Sequence, residues 1–387
     1  MKVDGGAHVE VAVVGRGLIG SAAARHLAES GVAVALLGPG EPSDPSIHEG
    51  PFASHHDQAR VTRIAAGQVL WARMAAAAID RYEDISERSG IRFHRPRGLV
   101  SVPRDPDSWL ANSVANGGAA RLVDSDWVAD RTGITVAADL VCIHEPAPAG
   151  IIDPLALVAA QTRLVEMADG LVVDEWVASL DRSGDRWRLT GPFGVMSADR
   201  VLLATGGFGS ALCPAPLELV RRPRTVVMAE IPPLSDDRLP ALIHDRIVDP
   251  DLEGIYWTPP VRYPDGRSYL KIGGDLCPRP EAEEAELTDW FRGGGDAREV
   301  AALTRVLGQL LPGVEIAATW SKPCVVVVTP TGDPYIGWVA DGLAVALGGN
   351  GAAAKSSDEI GRLAATLFGP GWDAGYDPDA FTPRVTL

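Results

Sequence analysis

The chain has 387 residues, 46 % of them apolar, and a formal net charge of −16. That length allows two domains with a large core, and that acidity argues against nucleic acid or an anionic membrane as a partner. No stretch approaches the roughly 20 apolar residues needed to span a bilayer, and MKVDGGAHVE at the start carries no secretory pattern, so a cytoplasmic protein is expected. The four cysteines (Cys142, Cys213, Cys277, Cys324) are scattered, without the paired spacing of a zinc site or redox dithiol. No metal is expected. Only Lys2, Lys271, Lys322 and Lys355 are lysine among the 35 Lys and Arg residues. A chain that otherwise uses arginine is expected to keep lysine where a compact, titratable ammonium is needed.

The first predicted element is a buried strand over Val11 to Val14. It breaks at Gly15-Arg16-Gly17-Leu18-Ile19-Gly20. An alanine-rich helix follows from Ser21 to Ser30, then a second strand from Val32 to Leu37. Strand, glycine turn, helix and strand within about thirty residues make one βαβ unit. Gly15 permits the tight turn, Gly17 lets a pyrophosphate approach the backbone, and Gly20 lets helix and strand pack closely. The helix N-terminus offers free N–H groups and partial positive charge to phosphates. One feature is missing. The acid that usually ends the second strand and binds ribose hydroxyls is replaced by Gly38, with no acid until Glu41. The ribose is then expected to be held by backbone or by Glu41.

After a loop from Gly38 to Pro51, residues 54–63 form a polar cluster, Ser54-His55-His56-Asp57-Gln58-Ala59-Arg60-Val61-Thr62-Arg63. It reads either as a solvated loop or as a site loop supplying cations over a cofactor. Residues 68–89 predict one amphipathic helix, and 91–145 a more antiparallel insertion with acidic helices. Asp153 and Pro154 start a helix as N-cap and first residue. A strand is expected at Leu171–Val177, then a hairpin whose second arm holds Trp187-Arg188-Leu189. Arg200 to Gly209 reads as a buried strand running into Ala204-Thr205-Gly206-Gly207, small residues that allow close approach of a ligand. Residues 221–272 predict antiparallel strands. In one of them Lys271 alternates with Leu270 and Ile272, either on an exposed strand face or in a site. An acidic helical region covers 282–311. Lys322-Pro323-Cys324 and a valine run come next, then a strand at Leu343–Leu347. The turn Gly348-Gly349-Asn350-Gly351 opens a last helix containing Lys355. Its N-terminus is placed to stabilise negative charge near a flavin's pyrimidine ring.

The nucleotide-facing elements recur along the chain with β-rich segments between them. The expected fold is therefore mixed α/β, with a discontinuous Rossmann-like FAD-binding domain (1–90, 150–220 and 320–387). A discontinuous antiparallel substrate domain (91–149 and 221–319) completes it.

With these motifs in view, the sequence resembles the FAD-dependent amine and amino-acid oxidases of the D-amino-acid oxidase group. It is most similar to monomeric sarcosine oxidase, N-methyltryptophan oxidase and pipecolate oxidase. The specific parts are Ser54-His55-His56 with Arg60 and Arg63, Lys322-Pro323-Cys324 before Thr-x-x-Gly-Asp, and Gly351 with Lys355. The resemblance implies that Cys324 bonds covalently to the flavin and that Arg63 and Lys355 grip a substrate carboxylate. It also implies that Arg60 stands beside the flavin ring, that Lys271 promotes reaction of the reduced ring with oxygen, and that the Val177 backbone faces the adenine. Trp257 and Val326 stand where the family has pocket tyrosines, Asp275 where it has a histidine, and Ala352-Ala353-Ala354 where it has His-Gly-Phe. The implied reaction oxidises a C–N bond of a carboxylate-bearing amine by hydride transfer to flavin N5. An imine and hydrogen peroxide result, with small amine, molecular oxygen and a monomeric enzyme as the participants. A flavin dehydrogenase using a protein electron acceptor, and a non-catalytic flavin-binding protein, remain as alternatives.

Overall fold

The computed structural model describes residues 7–54, 56–231, 239–247, 249–369 and 371–386. β1 (His8–Val14) is buried on both faces from Val11 onward, which calls for a central place in a parallel sheet. It lies between β2 (Val34–Leu37) and the strand Gly194–Leu203, parallel to both. α1 (Leu18–Glu29) makes the crossover. Its Ala22, Ala23 and Ala24 are fully buried, and small side chains let the helix Ala353–Thr366 pack against it. Leu171–Val173 extends the sheet beyond β2, and Leu343–Leu347 joins the far side in parallel. The hairpin Ser179–Ser183 and Arg186–Gly191 adds two antiparallel strands. The strand expected to reach Val177 ends at Val173.

A second, mixed sheet runs in the order Ala318–Val328, Val220–Glu230, Ser268–Leu276, Leu252–Arg262, Ala241–His244, Leu99–Val102, Cys142–Glu145, Arg121–Val123. The pair Ala241–His244 and Leu99–Val102 is parallel; the other pairs are antiparallel. The helix Ala297–Leu310 covers one face, packing Ala302, Leu303 and Val306 on Val227, Leu270 and Ile272. A small third sheet pairs β3 (Arg60–Thr62) with Gly150–Ile152 and then His94–Arg95. The helix Pro154–Met167 starts as its sequence requires: the Asp153 carboxylate accepts from Ala156 N–H at 3.0 Å.

The single helix expected over 68–89 is two, α2 (Val69–Asp80) and α3 (Tyr82–Ser89). Arg81 breaks it with φ −95° and ψ −5°. Its guanidinium is held by Asp358 at 2.6 Å and Glu359 at 2.5 Å. Among the described residues no helix is long and apolar enough to cross a membrane, and no group of three or more His, Cys, Asp or Glu could hold a metal ion.

Candidate active site

Parallel strands end together, and their C-terminal ends bound a crevice. Here β1 delivers Gly15, Gly17, Leu18 and Ile19, β2 delivers Leu37 and Gly38, and Gly194–Leu203 delivers Thr205 and Gly206 to the wall of a cavity of ≈ 1170 Å³, which Val177 also lines. Gly17 caps α1 in extended geometry, with no side-chain cap and no acid in the first turn. The opening N–H groups of the helix are thus left to a ligand. Gly20 does not line the cavity; a Cβ there would fall 1.9 Å from the Gly15 carbonyl oxygen, so it serves the turn.

The missing ribose acid has a steric cause. A Cβ at Gly38 would stand 2.4 Å from the Arg16 backbone nitrogen. The Arg16 side chain donates to the Gly38 carbonyl at 2.9 Å and reaches the Asp174 carboxylate, which also accepts from Gly40 N–H at 2.8 Å. Leu37 is paired with Val173, so Asp174 sits one strand over from the usual position. Glu41, the expected substitute, is instead 3.3 Å from Lys322 and does not line the cavity.

The loop 54–63 follows the cavity wall. Ser54 lines it and donates to the Val325 carbonyl at 2.6 Å; His55 lies outside the described residues. Arg60 donates to the Ser54 carbonyl at 2.6 Å, pairs with Asp57, and stands 3.9 Å from the Cys324 sulfur. Burial opposes its charge, and Asp57 more than compensates, holding it above the ordinary value. Cys324 is a free, half-buried thiol on the cavity wall, and its carbonyl accepts from the Trp290 indole at 2.9 Å.

Arg63 and Lys355 line the same cavity. Arg63 lies 4.6 Å from the Trp109 ring centroid and donates to the Ala65 carbonyl at 2.5 Å. Lys355 lies 5.3 Å from the Trp71 ring centroid and donates to the Ala352 carbonyl at 3.3 Å. Neither has a carboxylate partner within ion-pair distance among the described residues. Burial pushes Arg63 down to about 10. Burial, and then the charge of Arg63, push Lys355 well below its ordinary value. The nearby Glu145 carboxylate is spent on the Ile64 and Ala65 N–H groups at 2.8 and 3.0 Å. A half-buried guanidinium and a buried lysine with no anion beside them are costly, and the arrangement calls for an anionic ligand between them, which would also hold the Lys355 proton.

Lys271 is fully buried and does not line the cavity, so the exposed-face reading fails. Its ammonium pairs with Asp57 at 2.5 Å and donates to the Ala59 carbonyl. Asp57 in turn accepts from the Tyr263 hydroxyl at 2.7 Å. Burial and then Arg60 push Lys271 down to about 8, against the pull of Asp57. Trp257, expected in the pocket wall, is also fully buried elsewhere. It joins the core with Leu242 and Leu270, and its indole donates to the Pro240 carbonyl at 3.0 Å. Strand alternation instead gives the wall to Tyr256. Val326, Asp275 and Ala352 to Ala354 do line the cavity, as do Gly349 and Gly351. Asn350 does not. It shapes the turn, with φ +49°, accepting from Thr329 N–H at 2.9 Å and donating to the Gly348 carbonyl at 2.6 Å.

Sequence reasoning gave no role to Asp57, Glu145, Asp174 or Asp245. Asp57 had a signal, its place three residues before Arg60. The others had none, because strand pairing brings them in from far along the chain.

The model of the family DAO, FAD dependent oxidoreductase, matches residues 10–367. The chain belongs to this family. Among solved structures, NikD, an unusual amino acid oxidase essential for nikkomycin biosynthesis, is similar with TM-score 0.79 at 20% identity, covering 98% of each chain. Glycine oxidase from Geobacillus kaustophilus gives 0.72 at 20% identity, covering 98% of this chain and 100% of that one. L-proline dehydrogenase from P. horikoshii gives 0.71 at 15%, covering 95% of each. Among curated proteins none matches the sequence.

This chain is thus a flavin-dependent oxidoreductase of the DAO family, and its residues fit FAD. The uncapped α1 N-terminus suits a pyrophosphate. Gly206 borders open space, since a Cβ there would meet nothing within 4 Å. The second glycine turn carries a further helix N-terminus, at Ala352 and Ala353, to the wall of the same cavity.

Proposed function

We propose that this protein oxidises a C–N bond of a carboxylate-bearing amine, a secondary amine or an amino acid, to an imine, with hydrogen peroxide as co-product. FAD, when bound, supplies the two-electron acceptor that the oxidation requires. The observation that carries the reading is the pair of half-buried Arg63 and buried Lys355, facing the cavity without a carboxylate partner among the described residues. A substrate carboxylate would complete them with charge-assisted hydrogen bonds, each worth roughly 1.5–3 kcal/mol. Trp109, on the cavity wall beside Arg63, restricts where that carboxylate can settle, so positioning contributes much of the rate. Cys324 stands on the cavity wall with the Arg60 guanidinium 3.9 Å from its sulfur, a position that supports a covalent link to the flavin. Lys271 is assigned to the oxygen step as a buried cation held by Asp57. Glycine and amino-acid oxidation by the similar structures agrees with the substrate class. We assign the parallel sheet to the cofactor and the mixed sheet to the substrate, in a cytoplasmic monomer.

The test is anaerobic mixing of the purified yellow protein with carboxylate-bearing amines and their decarboxylated analogues. Bleaching by the former alone, lost in Arg63→Ala, is expected. Bleaching indifferent to the carboxylate would remove the reading. Acid denaturation of parent and Cys324→Ala tests the covalent link, which requires colour to stay with the parent chain and leave the variant. A second reading, a dehydrogenase passing electrons to a protein, is favoured by one observation. Lys271 is tied to Asp57 and the Ala59 carbonyl and does not open to the cavity. Slow turnover with oxygen beside fast turnover with an artificial acceptor would select it.

A further inference from the structure

The acidic residues around the substrate end of the cavity are nearly all engaged. Glu145 holds two backbone N–H groups. Asp275 pairs with Arg224 and Arg279, and Glu253 pairs with Arg279 at 2.7 Å. Asp105 caps its helix by accepting from Ser108 N–H at 3.1 Å. Asp245 differs. Its carboxylate lines the cavity and has no hydrogen bond or ion pair among the described residues.

Its backbone is nonetheless fixed at both ends. Asp245 N–H donates to the Val102 carbonyl at 3.0 Å, and its carbonyl accepts from the Arg104 guanidinium at 3.0 Å. Arg104 also donates to the Glu253 carbonyl at 3.2 Å, and among the described residues it makes no hydrogen bond to the Asp245 carboxylate. Beside that carboxylate stands Gly254, also on the wall, where even a Cβ would lie only 3.6 Å from Oδ1. The absence of a side chain keeps ligand space open next to the acid. Burial raises the Asp245 pKa, while the charges of Arg63 and then Arg104 lower it. Asp245 and Arg63 therefore act on each other across one wall.

We propose that Asp245 reads a second, positively charged group on the substrate, so that the site takes a carboxylate-bearing amine with a further ammonium apart from the nitrogen that is oxidised. The proposal rests on the carboxylate reading above, with Arg63 taking one end of the substrate and Asp245 the other. An unpaired carboxylate in a partly dry wall is a weak point for a plain aliphatic ligand and a strong contact for a cation.

The test is isothermal titration of the holoenzyme with an ω-amino carboxylate series of increasing chain length, with the matching plain carboxylates, and with 2-aminohexanoate. One length of ω-amino carboxylate should bind about ten- to a hundred-fold more tightly than its plain partner, the range of one charge-assisted contact. Asp245→Asn should erase that gain while leaving the plain carboxylates at equal or better affinity, since a negative charge near Arg63 is gone. Absence of the gain at every length, or its survival in Asp245→Asn, overturns the proposal. So does a gain confined to 2-aminohexanoate, which would give Asp245 the reacting nitrogen instead. If plain carboxylates bind neither protein, the Arg63 and Lys355 reading fails as well.

Discussion

Burial disfavours a lysine's charged form, and an anion beside it favours that form. Lys271 has Asp57 at 2.5 Å, and its pKa still falls to about 8 under burial and the charge of Arg60. At neutral pH it is therefore mostly protonated, and the margin depends on Asp57. Asp57→Asn should move the pKa below about 8. The limb on which reoxidation of the reduced enzyme by oxygen declines should then shift to lower pH, as stopped-flow rates across pH would show. A limb that stays in place would separate Lys271 from the oxygen step. Glu299 gives a second prediction through stability. It is buried, its Oε2 accepts from Thr225 N–H at 2.7 Å, and its Oε1 has no hydrogen-bond partner among the described residues. Burial pushes it up to about 7 from 4.5. The folded state then binds a proton that the unfolded state has lost, so its contribution is intact below pH 4.5 and is lost as pH rises through about 7. That contribution is on the order of 3 kcal/mol. Glu299→Gln should flatten this fall, with the variant gaining on the parent between those pH values in urea unfolding. Parallel curves would show that Glu299 titrates normally.

At the scale of elements, one carboxylate joins four helices. Asp358, on the helix Ala353–Thr366, accepts from Arg25 of α1 at 2.7 Å, from Arg81 between α2 and α3 at 2.6 Å, and from Gln161 of Pro154–Met167 at 2.9 Å. It is fully buried, and despite that burial His26, Arg25 and Arg81 hold it well below the ordinary carboxylate range. Asp358→Ala takes the shared carboxylate from two arginines, leaving Arg25 to Glu29 and Arg81 to Glu359, and should cost about 3 kcal/mol in chemical denaturation; a loss below about 1 kcal/mol would mean that solvent or a neighbour takes its place. In the parent this contribution is present above the unfolded carboxylate pKa and is lost as pH falls through the folded one. The cluster also shows what a sequence leaves unread. The break at Arg81 has its cause 277 residues away in Asp358, so local periodicity could only predict a continuous helix. Where the cause is local, the reading carries through. The glycine turn between β1 and α1, the Asp153-Pro154 helix start and the strand Leu343–Leu347 were all legible. Alternation was legible for Tyr256 and Trp257, but its phase was not. Which of the two faces the cavity depends on neighbouring strands and on Pro240, the partner of the Trp257 indole. The cations Arg63 and Lys355 were legible as motif residues, whereas Glu145 and Asp245 come to their side only through the mixed sheet.

At the scale of the molecule, the cavity of ≈ 1170 Å³ is walled by both large sheets, from the β1–α1 turn at one end to Cys324, Tyr256 and Asp275 of the mixed sheet. A ligand that fills it stabilises the folded state by mass action, and by roughly 4 kcal/mol when free ligand stands at about a thousand times Kd. Because the wall is shared, flavin removal should loosen both sheets at their cavity edges and not the nucleotide turn alone. Cys324→Ala, which removes the proposed attachment point, allows the comparison within one chain by hydrogen exchange with and without FAD. Protection should fall on removal at residues 15–20, at 54–63 and along Ala318–Val328. The helices gathered around Asp358 are held by their own buried ion pairs and should keep theirs. Loss confined to residues 15–20 would mean that the mixed sheet stands without the cofactor, and that the two sheets are coupled by the protein interior rather than by what lies between them.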